Sequence, residues 1–197
     1  KKMINNKVKD FFKKITSEVF TQKQETKENP FSIQEGDEAD VIFAKNINKD
    51  GGRFFYCENV EKMQKTLKKL ITHLKLSKIY CSEKEIQDNL RNLNISFENT
   101  NPKNCEAILT TCEYIIANQG KVLLSSKQMG KYHLKDLPDQ LIILSYTSQI
   151  ALRINDAMRG MTNKYKTKIP SHITTVGNEK NKKTLNVLVF EDFKSFR

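Results

Sequence analysis

Apolar and polar residues alternate along the chain in short blocks that predict strands and helices in turn. Runs of aromatic and branched apolar residues a few positions long are typical of β-strands. Between these runs, apolar residues recur every three or four positions, as they do in helices that pack by one face. The pattern predicts strands over 53–57, 78–81 and 93–97. Strands that alternate with helices at this spacing indicate an α/β fold with an open, mostly parallel sheet flanked by helices.

Polar residues at the starts of the two intervening helices predict how each helix is capped. Asn59 is a good N-cap for a helix whose apolar stripe ends at Leu74. Ser82 and Glu85 predict a capping box for the helix that follows. An earlier helix is predicted over 37–48, before the first strand.

The second half of the chain continues this alternation. The continuous apolar run at 140–144 is typical of a strand that is buried on both faces. Thr147 is suited to cap a helix that follows it, and Gly160 and Pro170 bracket the end of that helix. The last two strands are predicted over 173–176 and 185–190.

A β-hairpin is predicted inside the stretch AILTTCEYIIANQGKVLLSS at 107–126. The first strand of this stretch ends at Thr110 and Thr111, and two further apolar runs flank a turn at 118–120. Gly120 supplies the positive φ that a tight hairpin turn requires. Polar side chains and free backbone amides are therefore expected to collect in one place.

The first thirty residues differ in pattern from the rest of the chain. Apolar residues from 3 to 20 fall at spacings of three and four with lysines between them, which predicts a basic amphipathic helix. The polar segment after it ends at Pro30 and predicts a flexible linker. We therefore expect the helix and linker at 1–30 and an α/β domain at 31–197. The helix is expected to pack on its own domain or on a partner, and weak contact with a membrane surface is a third alternative.

The formal charge of the chain is strongly positive, at +11, with 34 basic and 23 acidic residues. A basic surface can bind nucleic acid through phosphate contacts. Only five of the basic residues are arginines, however, and the lysines are spread along the chain. Because arginine is the residue favoured for bidentate phosphate and base contacts, nucleic acid is not expected as a partner.

The longest apolar runs of the sequence are only a few residues. Such runs are too short to form a transmembrane segment, and the first residues lack the apolar block of a signal peptide. A cytoplasmic location is therefore expected.

The four cysteines and three histidines give no pattern of metal ligands. Cys57, Cys81, Cys105 and Cys112 are far apart and form no C-x-x-C pair, whereas zinc and iron–sulfur sites usually show close pairs. The histidines have no ligand spacing either. No metal or other cofactor is predicted, and disulfides are not expected in a reducing compartment.

The stretch at 107–126 also carries a resemblance to a known family. A strand ending in Thr, a short apolar strand ending in Ala, two polar residues and Gly, then another strand and a Ser pair, resemble the LUD-domain family and its lactate-utilisation protein C type. The similarity continues through LPDQLIILSYTSQI at 137–150 and PSHITTVG at 170–177. The resemblance implies the open α/β sheet shared by sugar-phosphate isomerases and CoA transferases. It also implies an accessory subunit that works beside iron–sulfur partners in bacteria that oxidise lactate to pyruvate.

Two departures from the family pattern bear on the activity. Relatives usually have Glu-Thr where this chain has Asn118 and Gln119, and an amide neither titrates nor attacks as a carboxylate can. After Gly177, relatives usually carry a longer loop with a Gly-x-His-Gly-Pro segment, whereas this chain has NEKNKKT. The chain is thus a reduced or divergent member, or a mobile loop is absent from this sequence. These departures favour the alternative of a non-enzymatic carboxylate-binding or regulatory module, no catalytic residue is assigned, and whether the chain turns over a substrate stays open.

The candidate site follows from where the predicted strands end. In open parallel sheets, ligands bind at the carboxyl ends of the strands, and a helix beginning near Ser148 would point its free amides at the same edge. A small carboxylate such as lactate or pyruvate would suit the partial positive charge of these amides. The bland alternative is that Cys57 and Cys81 are small buried hydrophobes and that Thr147 is only a cap. The candidate ligand-binding residues are Thr110, Thr111, Asn118, Gln119, Gly120, Thr147 and Ser148.

Overall fold

A computed structural model of the 197-residue chain describes residues 32–178 and 183–191, together with the helical residues 10, 13, 15, 16, 19 and 20. The strands of this part are β1 Arg53–Cys57, β2 Ile79–Tyr80, β3 Phe97–Glu98, β4 Ala107–Thr111, β5 Tyr114–Ile116, β6 Lys121–Leu124, β7 Gln140–Tyr146, β8 Ile150–Ala151, β9 Thr174–Val176 and β10 Thr184–Phe190. Its α-helices are α1 Ala39–Lys49, α2 Val60–His73, α3 Lys84–Asn92, α4 Ser126–Met129 and α5 Ile154–Tyr165.

Six of the strands form the main sheet, in the order β1-β10-β7-β4-β2-β3. All five neighbouring pairs in this sheet are parallel. The two longest strands, β7 and β10, have seven residues each, and most of these are buried, as expected for continuous apolar runs covered on both faces. The predicted α/β fold with an open, mostly parallel sheet is confirmed.

The predicted hairpin is the centre of a second sheet rather than an addition to the first. Strands β5 and β6 are antiparallel, and the order of this sheet is β8-β5-β6-β9. Gly120 has a φ of +60° in the hairpin turn, as predicted. A side chain at Gly120 would also come within 3.0 Å of Asn46 Cβ on α1. The turn therefore requires glycine both for its backbone conformation and for its close approach to a helix.

The two sheets and the helices form stacked layers. Apolar side chains of α2 and α3 cover one face of the main sheet, as the contacts of Phe55, Ile142 and Leu188 show. Helix α1 and the inner face of the second sheet cover the other face, to which Phe54 and Ile143 belong. Helix α5 packs on the outer face of the second sheet. Alternate residues of each main strand thus enter different cores, as the two-residue period of a strand requires.

The chain after β7 differs from its prediction. Residues 147–149 form a single 3₁₀ turn, Ile150–Ala151 is strand β8, and α5 begins only at Ile154 with Arg153 at its N-cap position. The prediction that Thr147 caps this helix is therefore wrong. The end of α5 at Tyr165 lies between Gly160 and Pro170, as predicted. A side chain at Gly160 would overlap the ring of Tyr114.

The predicted caps of the two earlier helices have different outcomes. Asn59 caps α2 as expected, since its side chain accepts a 2.8 Å hydrogen bond from the Lys62 amide. The capping box of Ser82 and Glu85 is wrong, because Glu83 occupies the N-cap position of α3 and its side chain points elsewhere. Of the strand predicted over 93–97, only Phe97 lies in a strand, because β3 spans Phe97–Glu98.

The described residues of the N-terminal helix pack on the α/β domain. Ile15 is 4% exposed and belongs to the core between α1 and the sheets. The ring of Phe20 lies 5.6 Å from that of the fully buried Phe55. The predicted linker at 21–30 lies outside the described residues, so the division into 1–30 and 31–197 stays a prediction. Among the helices that the structure describes, none has the length and apolar character needed to cross a membrane.

Candidate functional site

The carboxyl ends of β2 and β4 lie side by side where the connections of the main sheet reverse direction. From β2 the chain enters α3 on one face of the sheet and reaches the edge strand β3. From β4 the chain crosses to the second sheet on the opposite face and later returns as β7. Connections that leave neighbouring parallel strands on opposite faces open a crevice between them, which is the usual binding position in open α/β sheets.

The carboxylate of Glu83 lies in this crevice and binds the end of β4. Oε1 of Glu83 accepts a 2.8 Å hydrogen bond from the Thr111 amide and another from the Thr110 hydroxyl. Oε2 accepts a 2.7 Å bond from the Thr111 hydroxyl. Thr110 is buried, whereas Glu83 and Thr111 are half-buried. Three donors of two adjacent residues thus form a receptor for one carboxylate, which we call the Thr110–Thr111 receptor.

A second carboxylate, that of Glu113, is fully buried in the link between β4 and β5. Its Oε1 accepts a 2.7 Å bond from the Ser125 hydroxyl. Its Oε2 accepts bonds from the Tyr165 hydroxyl at 2.8 Å and from Lys164 Nζ at 3.1 Å. Helix α5 supplies both of these partners from its last two residues, so the outermost helix reaches back to the carboxyl edge of the main sheet.

The hydrogen bonds of this cluster decide the charge of Glu113. Burial alone raises the pKa of a carboxyl, but the bonds from Ser125, Tyr165 and Lys164 outweigh it and hold the pKa of Glu113 below its usual value. Burial likewise lowers the pKa of Lys164, and its bonds to Tyr165 and Glu113 more than offset that effect. Both groups are therefore charged at neutral pH. The Lys164 side chain remains 49% exposed, so the pair has one fully buried and one solvated member.

Gln128 on α4 joins the two carboxylates. Its Oε1 accepts a 2.9 Å bond from the Ser125 amide in a capping box, which turns Nε2 toward the crevice. Nε2 lies 3.4 Å from Thr111 Oγ1 and 3.4 Å from Glu113 Oε1. A continuous polar chain therefore runs from Glu83 through Thr111 and Gln128 to Glu113.

Gln149 holds the end of β7 against the same link. Its Oε1 accepts a 2.8 Å bond from the Tyr146 amide, and its Nε2 donates to the carbonyls of Cys112 at 2.6 Å and Glu113 at 3.2 Å. This side chain closes the 3₁₀ turn that contains Thr147 and Ser148. It satisfies backbone groups at the point where the chain passes from one sheet to the other.

The structure divides the predicted site residues into two groups. Thr110 and Thr111 end β4, and Thr147 and Ser148 follow β7, so these four share the carboxyl edge. The turn at 118–120 is at the opposite end of β5, where Asn46 of α1 donates to the Ala117 carbonyl at 2.9 Å. Three residues of β5, about 10 Å of strand, separate the two groups.

Three cysteines at or near the carboxyl edge are buried in the core. Cys57, Cys81 and Cys112 are at most 2% exposed. Burial raises the pKa of their thiols, to about 11 for Cys57 and about 12 for Cys81 and Cys112. These thiols are protonated at neutral pH and pack as small hydrophobes, as the bland alternative expected for Cys57 and Cys81. Within the described part of the chain, His, Cys, Asp and Glu side chains do not gather in threes that could hold a metal ion.

Sequence reasoning missed the residues that dominate the polar network. These residues are Glu83, Glu113, Gln128, Gln149, Lys164 and Tyr165. One signal was present, because Glu113 is the only charged residue in the apolar stretch 107–117, and a lone carboxylate there needs buried partners. Its partners on α5 lie 51 and 52 residues later, and local patterns do not reveal such pairing.

Comparison with known proteins identifies one fold neighbour by structure. The chain is similar to the crystal structure of a DUF162 family protein from Deinococcus radiodurans, with a TM-score of 0.59 and 14% sequence identity. The match covers 77% of this chain and 94% of that chain. DUF162 is the LUD-domain family. At this identity the likeness establishes the fold alone. No family model matches the chain, and no curated protein is significantly similar to it.

Proposed function

We propose that this protein is a LUD-domain protein that serves as a cytoplasmic accessory subunit in the oxidation of lactate to pyruvate. In this proposal it binds a small carboxylate in the crevice between β2 and β4 and leaves electron transfer to iron–sulfur partners. The shared fold with a DUF162 protein and the resemblance at 107–126 support the family assignment.

The observation that carries the proposal is that the crevice already holds a carboxylate group. Two hydroxyls and one backbone amide, all from Thr110 and Thr111, converge on the two oxygens of Glu83. Hydrogen bonds to an ionised carboxylate are about twice as strong as neutral ones. A free carboxylic acid presents the same pair of oxygens, so the same three donors suit it.

Gln128 offers a reason for a preference among carboxylates. Lactate and pyruvate carry a second oxygen on the carbon next to the carboxylate. The Gln128 amide donates toward Thr111 Oγ1 from 3.4 Å and is fixed in orientation by Ser125. In the proposed complex it donates to that second oxygen. A donor held in place before the ligand arrives contributes more to affinity than a mobile one.

The cysteine chemistry supports a division of labour with partner subunits. The sequence has no close-spaced cysteine pair and no glycine-rich dinucleotide fingerprint. Three of its thiols are buried and protonated at neutral pH. Oxidation of lactate removes two electrons, which need an acceptor. We therefore assign the acceptor to iron–sulfur partners.

Calorimetric titration tests the binding half of this proposal. Lactate and pyruvate are expected to bind more tightly than propionate, which lacks the second oxygen. Added to Glu83→Ala, which removes the carboxylate bound there, Thr111→Val removes one hydroxyl donor and should weaken binding of all three acids by about tenfold. Thr184→Val is the matched control, because Thr184 is also half-buried and on a strand but lies at the amino end of β10. Equal binding of propionate and lactate, or no binding at all, would contradict the proposal.

An assay of the isolated chain tests the accessory role. With lactate and an artificial electron-acceptor dye, the purified protein is expected to show no turnover. Turnover by the chain alone would overturn the accessory role and make it an enzyme in its own right.

A non-enzymatic carboxylate-binding or regulatory module on the same fold is the second candidate. The observation that favours it is that Asn118 and Gln119 are exposed amides at the far end of β5 from the crevice. A carboxylate-binding module needs no titrating group there. Neighbouring genes that encode cysteine-rich and ferredoxin-like proteins would favour the accessory subunit over this module.

A further inference from the structure

We infer that Glu83 is an internal competitor, whose carboxylate fills the Thr110–Thr111 receptor until an external carboxylate displaces it. The inference rests on the proposed function and adds how the site opens. All three receptor donors are used by Glu83. An external carboxylate therefore cannot bind them while Glu83 is in place.

The position of Glu83 in the chain allows its side chain to leave without disturbing the fold. It is the N-cap residue of α3, yet its carboxylate points across the crevice instead of toward its own helix. The backbone around it is fixed by other contacts, because the Cys81 amide donates to the Glu98 carbonyl at 2.8 Å and Gln87 Nε2 donates to the Cys81 carbonyl at 2.9 Å. Rotation of one half-buried side chain is then sufficient to empty the receptor.

The displaced carboxylate has a favourable destination. The first amides of α3 follow Glu83 directly, and a negative charge is stabilised at the start of a helix. The incoming carboxylate replaces the three lost hydrogen bonds one for one. The exchange thus conserves the number of bonds to Thr110 and Thr111, so a modest difference in affinity decides which carboxylate is bound.

This arrangement predicts that removing the Glu83 carboxylate tightens binding of external carboxylates. The apparent dissociation constant equals the intrinsic constant divided by the fraction of molecules whose site is open. Glu83→Ala opens the receptor in every molecule, and acetate, lactate and pyruvate should each bind roughly tenfold more tightly or better. Glu85→Ala is the matched control, because Glu85 is an exposed carboxylate in the first turn of the same helix. It should leave all three affinities unchanged.

Chemical rescue provides a second readout, which is independent of the dissociation constant. Glu83→Ala leaves the Thr111 amide without its carboxylate acceptor, so its resonance in a proton–nitrogen correlation spectrum should move. Added acetate should return this resonance toward its wild-type position and raise the melting temperature of Glu83→Ala more than that of the wild type. If Glu83→Ala does not fold, Glu83→Gln serves the same measurements, because it keeps the shape of the side chain but removes the charge.

The outcomes separate this inference from the proposed function. Equal or weaker acetate binding by the Glu83 variants, with no return of the Thr111 resonance, would make Glu83 a structural residue and overturn the inference. Tighter acetate binding by these variants without any preference for lactate or pyruvate over propionate would support the inference and contradict the lactate proposal. If the wild type binds lactate selectively and as tightly as the Glu83 variants do, the result would support the lactate proposal and contradict the inference about Glu83.

Discussion

The hydroxyl of Tyr165 donates a 2.8 Å hydrogen bond to the buried carboxylate of Glu113, 52 residues earlier in the chain. Tyr165 is the last residue of the outermost helix, and Glu113 lies in the link between the two sheets. The bond therefore ties α5 to the carboxyl edge of the main sheet. Lys164 donates to the same oxygen, so the end of this helix provides both a neutral and a charged partner for one carboxylate.

The buried carboxylate of Glu113 predicts a pH dependence of stability. Because its pKa is lowered on folding, its contribution is present above the unfolded pKa of about 4.5 and is lost as the pH falls through the folded value. Glu113→Gln should lower the free energy of unfolding by about 2 kcal/mol above pH 5, a figure reduced because Lys164 is half exposed. The gap between variant and wild type should narrow toward pH 3.

Urea unfolding between pH 3 and pH 7 measures this dependence. Glu85→Gln, at an exposed carboxylate, is the control and should track the wild type at every pH. A gap between Glu113→Gln and the wild type that stays constant with pH would mean that Glu113 is not charged in the folded protein.

The turn at Gly120 should tolerate no larger residue. Its φ of +60° disfavours a side chain, and the first carbon of that side chain would lie 3.0 Å from Asn46 Cβ. Gly120→Val is expected to lower the free energy of unfolding by about 3 kcal/mol, because a β-branched residue is disfavoured both by the positive φ and by the contact with Asn46. Gly36→Val is the comparison, since its φ of +92° is also positive but its side chain would meet open space. Equal shifts of the unfolding midpoint in the two variants would show that contact with α1 is unimportant.

Replacement of Gly160 by alanine should have the opposite effect on stability to that seen at most helical glycines. Replacing an interior helical glycine by alanine normally stabilises a protein by about 1 kcal/mol. In α5 the added carbon overlaps the Tyr114 ring, so Gly160→Ala should lower the melting temperature. The double variant with Tyr114→Leu should recover part of the loss, and calorimetry of the four proteins gives the coupling. Independent, additive effects would argue against the contact.

Ile15 links the N-terminal helix to the stability of the whole domain. It is 4% exposed within the core that includes α1, so Ile15→Ala should lower the free energy of unfolding by about 2–4 kcal/mol. Asp10→Ala, at an exposed position of the same segment, should have little effect. Denaturant unfolding of both variants measures the difference. An unchanged midpoint for Ile15→Ala would mean that the helix leaves the core readily in solution.

The parts of the fold that the sequence predicted are those specified by local chemistry. Asn59 caps α2 and Gly120 turns the hairpin, because each acts on residues within a few positions of itself. The run at 140–144 became a central strand, since a continuous apolar run has to be covered on both faces.

The errors arise where tertiary contacts override local preference. Ile150 falls inside the helix predicted to follow Thr147, but it pairs with Ile115 in the second sheet instead. The local sequence does not mark Glu83 as a helix cap or as a site residue, because the partners of its carboxylate at the end of β4 lie 27 and 28 residues later.

The order of strands in the main sheet has a consequence for how the protein is made. Strand β10 is the last of the described strands to be synthesised, yet it lies between β1 and β7 and pairs with both. Until it leaves the ribosome, β1 has no neighbour in the sheet and β7 presents an open edge. Pairing between β1 and β10 also has a high contact order, which slows folding. The nascent chain therefore carries an unpaired β1 and an open edge of β7 until synthesis passes residue 190, and this interval is when aggregation or chaperone binding would occur.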